Sequence, residues 1–579
     1  MKATTLSSAK QEKRFSWADI VVLLSIFGLL YVFILLGKGM KVPFSPQQNI
    51  DINLSPAYLP YYAGRSLLRM FIAYGASLLF TLMYAKIAIM NKWTERIMIP
   101  IIDILQSVPV LGFLSATVVG FMALFPNSLL GVECASIFAI FTGQAWNMTL
   151  SFYYSLRSVP KDLSEFTKMS QLSPWMRFTK LELPHSTIGL VWNSMMSFGG
   201  GWFFLAASES ISVLNNNIQL PGIGSYMATA IATGNMSAMF YAILTMIILI
   251  VLVDQLFWRP VVTWSQKFRN EQTASVSTQS SWVLTVITRA AFFQVMSERF
   301  AEARKELLYR LRKTFKQDTL PSLPKLVVRP IWGRIFGAIV FLVVIIFIGS
   351  YSVQGVQYVA SLGPQEMVHV IGLGLLTMGR VIISTIFGAL WTIPVGVAIG
   401  FNPRLSRIAQ PIVQVLSSFP ANMAFPFLTI LYVKYNINFE IGAIPLMMLG
   451  TQWYILFNVI AGAMAIPSDL REAANMTNLS TRKKWTTLIL PGIFPYLVTG
   501  GITASGGAWN ASIVAEIVSW KENNLIATGL GSYITQATTA GNWPHIIWGI
   551  FVMATLVVVV NRFFWRKMYH IAETKYHLD

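Results

Sequence analysis

Apolar runs long enough to cross a bilayer recur along the chain, near 18–36, 66–90, 97–125, 128–156, 188–208 and 236–258. They recur again near 331–350, 371–400, 408–432, 439–465, 495–515 and 544–565, so the runs form two sets of six. A helix needs roughly 20 apolar residues to cross a hydrocarbon core of about 30 Å. Backbone groups find no partners in lipid, so each run is predicted to be helical. Between the sets, 265–330 opens polar (SQKFRNEQTASVSTQSS) and then turns amphipathic over 282–316. There Trp282, Ile287, Phe293 and Leu307 interleave with Arg289, Arg299, Arg304 and Arg310. That apolar stretch is short for a span and suits a helix lying on an anionic leaflet. The pattern predicts an all-α polytopic membrane protein of twelve transmembrane helices.

Composition agrees. The chain is 55% hydrophobic and 12% charged, against about 25% charged in soluble domains, so its main partner is the lipid bilayer. The net charge of +19 is read as basic cytoplasmic loops. Lys92, Arg96, Arg157, Lys161, Arg177, Arg404, Arg407, Arg482, Lys483, Arg562 and Arg566 fall on one side, whereas 122–130, 209–235 and 351–370 contain no Lys or Arg. The exceptions are Lys38, Lys41, Arg65, Lys434 and Lys521. This asymmetry puts both termini in the cytoplasm. No aromatic-interleaved basic patch points to nucleic acid. The single cysteine, Cys134, excludes an internal disulfide, and no histidine pair has metal-ligand spacing. The first apolar run lacks a small-residue cleavage site and reads as a span rather than a removed leader.

The two sets are copies of one unit. An offset of 311 residues places Arg69 on Arg380, Pro100 on Pro411, Ser107 on Ser418 and Pro109 on Pro420. From Glu133 onward the offset is 307, aligning Glu133 with Glu440, Trp146 with Trp453, Glu165 with Glu472, Glu209 with Glu516 and Trp258-Arg259 with Trp565-Arg566. Each unit has an even number of spans, so the repeats are parallel and related by a pseudo-two-fold along the membrane normal. The predicted divisions are 1–63 (tail, first span and outer loop), 64–267 (first repeat), 268–330 (cytoplasmic linker), 331–371 (seventh span and outer loop) and 372–579 (second repeat and tail).

Within each unit one charged segment lies between the fourth and fifth spans: SEFTKMSQLSPWMRFTKLELP at 164–184 and REAANMTNLSTRKKWTTLILP at 471–491. Each follows a proline (Pro160, Pro467) with an acid two residues on (Asp162, Asp469). Proline suits a first helical turn and an acid there complements the helix dipole. A short helix follows, with apolar residues at Leu163, Phe166, Met169 and Leu172 or at Leu470, Ala473, Met476 and Leu479. Each half thus offers one half-apolar helix to the cytoplasm, either packed on its own bundle or presented as a docking knob to a two-fold partner.

The second segment resembles the EAA coupling loop of binding-protein-dependent ABC importer permeases. The resemblance rests on Glu472-Ala473-Ala474, a turn at Asn478 and Leu490-Pro491; the first copy keeps Glu165, Leu183 and Pro184 but has Phe166-Thr167 for the alanines and Gln171 at the turn. Both repeats also resemble the nitrate/taurine/sulfonate branch in Ser107–Pro109 and Ser418–Pro420, in Ala-x-Glu209 and Ala-Glu516, and in the Gly-x-Gly-x-Tyr that follows each. The resemblance implies the type I ABC importer fold, here with its two six-span units fused. It implies coupling through Asp162, Leu163, Glu165, Leu183 and Pro184 and through Asp469, Leu470, Glu472, Ala473, Ala474, Asn478, Leu490 and Pro491. It further implies a dimeric ABC ATPase below, an extracytoplasmic substrate-binding protein above, a bacterial inner-membrane location and a small anionic solute. No G-x-x-x-x-G-K-[ST] occurs, so this chain has no cofactor of its own, and ATP and Mg belong to the ATPase.

Candidate pathway residues are Arg69, Arg380, Glu209 and Glu516 near the outer leaflet, and Gln106, Ser107, Pro109, Ser417, Ser418 and Pro420 at the third-span breaks. Asn147, Asn193, Asn215–Asn217 and Asn510 are weaker candidates. Charges in the membrane pair or line wet cavities. The arginines therefore either lock helices to Glu133, Glu440, Glu209 and Glu516, or give an anion a positive lining. Under the second alternative, replacing both by alanine lowers transport without unfolding the chain. An ion-coupled secondary transporter and a non-transporting scaffold are the competing classes, and neither needs paired charged loops. Because the second loop keeps the fuller motif, Glu472→Lys is expected to weaken ATPase capture in a pull-down more than Glu165→Lys. Equal losses would contradict that ranking.

Overall fold

The computed structural model describes residues 17–44, 50–213, 216–268, 281–289, 349–350, 353–520 and 523–575. The run predicted near 331–350 and most of the amphipathic segment 282–316 lie outside the described residues; the part described, Trp282–Arg289, is helical and sets Val286 against Val22 and Ile26 of the first helix. Among the described residues, eight helices are long and apolar enough to cross a membrane, and two bent pairs raise the number to ten. The expected twelve are therefore not all found. Leu183–Ser208 occupies in the first repeat the place of Leu490–Ala515, but Asn193, its serines and Gly199–Gly201 dilute its apolar character.

Each repeat is built on three helices packed side by side: Leu59–Ala88, Leu129–Arg157 and Leu183–Ser208 in the first, Gly363–Phe401, Phe439–Ala465 and Leu490–Ala515 in the second. Small residues let them approach. An added Cβ at Gly400 would lie 2.6 Å from that of Ala463. The outward faces expose Leu79, Met83, Ile386, Leu390 and Phe551, which suits lipid.

The third span is broken in both repeats. Lys92–Ser107 and Val110–Leu124 meet at 84°, and Pro403–Ser418 and Ala421–Lys434 meet at 75°. A proline pushes the residue before it out of the helical region, and Val108 (φ −82°, ψ 120°) and Phe419 (φ −69°, ψ 127°) are extended accordingly. The starts are matched as well. Asn91 Oδ1 accepts from Trp93 N and Thr94 N at 2.9 and 2.8 Å, and Asn402 Oδ1 from Arg404 N and Leu405 N at 3.0 and 3.2 Å, two N-caps of one kind.

These breaks form the seam between the repeats. Val110, Leu111 and Leu114 share one buried cluster with Trp509 and Ile513 of the second repeat, while Met423 is buried among Phe198, Trp202 and Met195 of the first. Each broken span thus inserts its turn into the other half.

The all-α expectation needs one correction. Two antiparallel hairpins stand where long outer loops were expected: β1 (Ser210–Val213) with β2 (Asn216–Gln219), and β3 (Ile517–Trp520) with β4 (Asn523–Ile526). Ile211, Ile218 and Val518 carry the strand alternation to a buried face, a short signal easily lost beside two long helices. Each hairpin leads into a short helix, Ile223–Thr233 or Leu530–Ala540, closed by Gly234 (φ 66°) or Gly541 (φ 68°) in the left-handed region.

The turn within each charged segment also differs from its sequence signal. Gln171 adopts φ 48°, the same left-handed conformation as Asn478 at φ 49°, although glutamine lacks asparagine's local hydrogen bonding there. The first loop therefore keeps the turn geometry. A β-branched side chain tolerates this conformation worst, so Gln171→Val is expected to cost about 1–2 kcal/mol in thermal unfolding, with Gln171→Gly no worse than the parent.

Candidate functional site

At the outer end of each repeat an arginine is locked between two glutamates. Every nitrogen of Arg69 is engaged. Nε and Nη2 hold the two carboxylate oxygens of Glu133, Nη1 donates to Glu209 Oε1 at 2.7 Å, and Nη2 also reaches the Pro221 carbonyl at 3.0 Å. Arg65 pairs with Glu133 as well and donates to the Leu36 carbonyl at 3.0 Å, tying the first helix in. Ser66 Oγ donates to Glu209 and accepts from Ile223 N, and Gly224 N donates to Glu209 Oε2 at 2.7 Å. The second repeat rebuilds the same lock. Arg380 pairs with Glu440 and with Glu516 (2.9 Å), Thr377 takes the place of Ser66, and Gly531 N donates to Glu516 at 2.8 Å. Gly222 and Gly529 make room, since an added Cβ would come within 2.3 Å of the Glu209 or Glu516 carboxylate.

Sequence reading had offered Arg69, Arg380, Glu209 and Glu516 as pathway residues. Arg69, Glu133 and Glu209 are completely buried, and Arg380 and Glu516 nearly so. None of them lines the cavity between the halves. Every guanidinium nitrogen of both arginines already donates at least one hydrogen bond to a carboxylate or a carbonyl.

Beneath the bundle the two charged segments form matching knobs, Lys161–Met169 and Ser468–Met476. Each buries one side chain on its bundle-facing side, Thr167 or Ala474, which occupy the same repeat position. Leu163, Phe166 and Met169 of the first and Leu470 and Met476 of the second stay exposed, both methionines at 83%. Asp162, Glu165, Asp469, Glu472, Ala473 and Asn478 are exposed beside them. Leu183-Pro184 and Leu490-Pro491 open the helices that climb back into the bundle. The knobs are fastened differently. In the first half the following short helix is held by an ion pair of Lys86 with Glu182, and Arg177 Nη2 donates to Ser164 Oγ at 3.1 Å. In the second, the Arg471 guanidinium lies 5.2 Å from the Phe401 ring centroid and Lys484 Nζ donates to Asn475 Oδ1 at 2.8 Å.

On the seam lies a cavity of about 160 Å³. Gln106 at the first break lines it, with Asn147 from the fourth span of its own half and Asn510, Tyr454, Asn561 and Trp565 from the other. Ser107 ends its helix beside the break and Pro109 starts the turn after it. At the second break Ser417 Oγ donates to the Gln414 carbonyl at 2.9 Å, Ser418 is buried and Pro420 begins the matching turn. Ser417, Ser418 and Pro420 are not among the residues of this cavity. Sequence reading missed Tyr454, Asn561 and Trp565. Trp565 was visible as a repeated Trp-Arg, and the other two break the repeat, with Asn147 and Asp254 at the matching positions.

The family profile described as "Binding-protein-dependent transport system inner membrane component" matches residues 73–257 and again 392–572. The bicarbonate transport system permease of Synechocystis sp. is 28% identical over 188 residues, which is 32% of this chain and 64% of that protein. The nitrate import permease of Synechococcus elongatus is 28% identical over 197 residues, 33% and 67% of the two chains. The taurine transport system permease of Escherichia coli is 23% identical over 185 residues, 32% and 64%. The aligned part of this chain thus spans just under two thirds of the bicarbonate and taurine proteins.

Removing one member of a buried ion cluster leaves its partners charged and unpaired. Arg69→Ala is therefore expected to lower stability by about 3–5 kcal/mol, read as a fall in thermal unfolding temperature of the detergent-solubilised chain, rather than to lower transport in a stable protein. A double variant Arg69→Ala/Arg380→Ala that folds normally would reverse this expectation.

Proposed function

The chain belongs to the family of binding-protein-dependent transport system inner membrane components, and from that premise we propose that it is the fused permease subunit of an ATP-driven importer of a small anion. The observation that carries the reading is the pair of cytoplasmic knobs. Two short helices at the same repeat position each bury one small side chain and leave bare the apolar residues that ordinary surface helices cover. A partner with two related grooves, such as a dimeric ABC ATPase, fits that arrangement. ATP and Mg are bound there, and this chain contributes Asp162, Glu165, Asp469 and Glu472 around the apolar contact of Leu163, Phe166, Leu470 and Met476.

The rest of the reading follows the two-fold layout. Both termini and the 268–330 linker are cytoplasmic, and the membrane is the bacterial inner membrane. The β1–β2 and β3–β4 hairpins face outward, where a substrate-binding protein docks across both halves. Closure of the ATPase draws the knobs together, and the three-helix cores, stiffened by the Arg69 and Arg380 locks, rock about the proline seam to open the central cavity to one side and then the other. The relatives named for bicarbonate, nitrate and taurine support a small oxyanion or sulfonate as the solute.

In proteoliposomes carrying the chain with its ATPase and binding protein, ATP hydrolysis is expected to rise several-fold with the cognate anion, and uptake is expected to survive collapse of ion gradients by ionophores. Met169→Glu with Met476→Glu is expected to abolish ATPase capture while leaving the chain folded. Uptake that needs no ATPase and follows an ion gradient would overturn the reading in favour of an ion-coupled carrier.

A further inference from the structure

The repeat offset carries the walls of the seam cavity onto a second place in the other half. Ser505 falls on Phe198, Asn561 on Asp254, Trp565 on Trp258 and Trp509 on Trp202. The two places differ in size. The first holds about 160 Å³, about five water molecules' share of liquid volume. The second, between Phe198, Trp202 and Trp258, holds about 10 Å³, room for about one water at most. Met195, Asp254 and Gln414 on its edge also border a separate cavity of about 330 Å³ that neither Phe198 nor the two tryptophans line.

One side chain accounts for most of that difference. Phe198 is 1% exposed, packs edge-on against Trp258 and Trp202 with ring centroids 5.5 and 5.7 Å away, and rests on Phe71 and Tyr74. Its repeat partner Ser505 brings no ring, and Ile382 and Thr385 stand where Phe71 and Tyr74 do. The tryptophan is also seated differently in the open half. Trp565 lies against Gly501, where an added Cβ would be 2.4 Å from its ring, while the first half has Ser194 at that position.

The open cavity has a definite chemistry. None of its lining residues is charged. Trp565 Nε1 is buried with no hydrogen-bond partner, as is Trp258 Nε1 at the matching place in the other half, and an indole nitrogen donates but never accepts. A buried donor without an acceptor is rare and calls for an explanation. Among the described residues, no side-chain hydrogen bond is found for the amides of Gln106, Asn147 or Asn561, all of which line the cavity. Asn561 and Trp565 begin and end a π-turn, the local widening of a helix that recurs at functional sites. In the closed half the residue matching Asn561 is Asp254, whose carboxylate would repel an anion. Both halves carry an unpaired indole N–H, and the open half alone adds space, a lining of neutral amides and the absence of that negative charge.

We propose that the seam cavity is a binding site for one small oxyanion or sulfonate per chain, held by neutral donors from Trp565, Asn561, Asn147 and Gln106, and that Phe198 keeps its twin shut. This rests on the permease reading and adds to it that the solute is recognised in the membrane without a cation and in one half-site of two. The charges of Arg69 and Arg380 hold the fold and take no part in recognition.

The test uses the full chain in nanodiscs, open to reagents from both sides, with Cys134→Ser removing the native thiol. Ser505→Cys and Phe198→Cys are compared for reaction with sulfonatoethyl methanethiosulfonate, itself a small sulfonate, and with its trimethylammonium analogue. The anionic reagent is expected to modify Ser505→Cys at least about tenfold faster than Phe198→Cys, where Asp254 sets a like charge against it, and faster than the cationic reagent does, because the open wall offers neutral N–H donors and no carboxylate. Nitrate, bicarbonate or taurine is expected to slow that reaction. Equal rates at the two positions, no reaction at Ser505→Cys, a preference for the cation, or no protection by any of the three anions would overturn the proposal. Asn561→Asp gives a second reading in a variant that changes no shape. It is expected to abolish anion protection while Asn561→Ser retains part of it, and undiminished protection in Asn561→Asp would sink the neutral-donor argument. The labelling needs no ATPase, so failure to capture one would refute the transport mechanism separately.

Discussion

The arrangement of the two halves depends on the proline breaks in the third spans. Pro109 and Pro420 force Val108 and Phe419 out of the helix, which frees backbone groups at membrane depth. In hydrocarbon each such group would cost several kcal/mol, so a break is tolerated only inside protein. Protein at that depth is supplied by the other repeat. Val110 N finds Asn510 Oδ1 of the second half at 2.8 Å, and the Ala421–Met423 turn settles against the first. Two self-contained bundles would have no reason to interlock. Two broken ones have to, and a seam with a cavity on it follows.

Comparing the repeats with each other separates what each region tolerates. The locks share one centre: Arg69 and Arg380, Glu133 and Glu440, Glu209 and Glu516, Gly222 and Gly529, while Arg65 is matched by Leu376 and Glu440 is 43% exposed where Glu133 is buried. Where the members are buried, a single loss strands a charge; the counterpart of Arg65 differs because Glu440 reaches the surface. The walls of the seam cavity obey no such rule. Phe198 against Ser505 and Asp254 against Asn561 change packing and polarity without orphaning a partner, so this region can diverge between copies. Divergence within one chain is therefore informative about function where identity is informative about structure.

Much of this was legible beforehand. The repeat register, the broken third spans and the short helices of the charged segments all follow from proline placement, charge patterning and a constant offset, each of which acts locally. The locks were half legible. Arg69 with Glu133 and Glu209 stood out as intramembrane charges, but whether they face a pore or each other depends on helix rotation, which apolar periodicity does not fix in a helix buried on several sides. The hairpins were missed because strands of four residues carry too few alternations to register. Asn561 and Trp565 were missed as cavity residues because a π-turn shifts the face a side chain occupies, and sequence periodicity assumes a regular helix.

Fusion gives the two differences, in the knobs and in the cavity, a common logic. In a permease made of two identical chains, a site on the two-fold seam is either shared across the axis or present twice. Two sites flanking one gate would have to fill or empty together, or the gate would close on a half-occupied pathway. Joining the units in one polypeptide frees the two walls to differ, as Phe198 and Ser505 do, and the proposal of one open and one plugged site uses that freedom. The knobs need not match either. An ion pair of Lys86 with Glu182, with the Phe178 ring beside it, fastens one knob, and a cation–aromatic contact of Arg471 with Phe401 fastens the other without an ion pair among the described residues, so the same position in the two copies has kept its shape while changing what holds it.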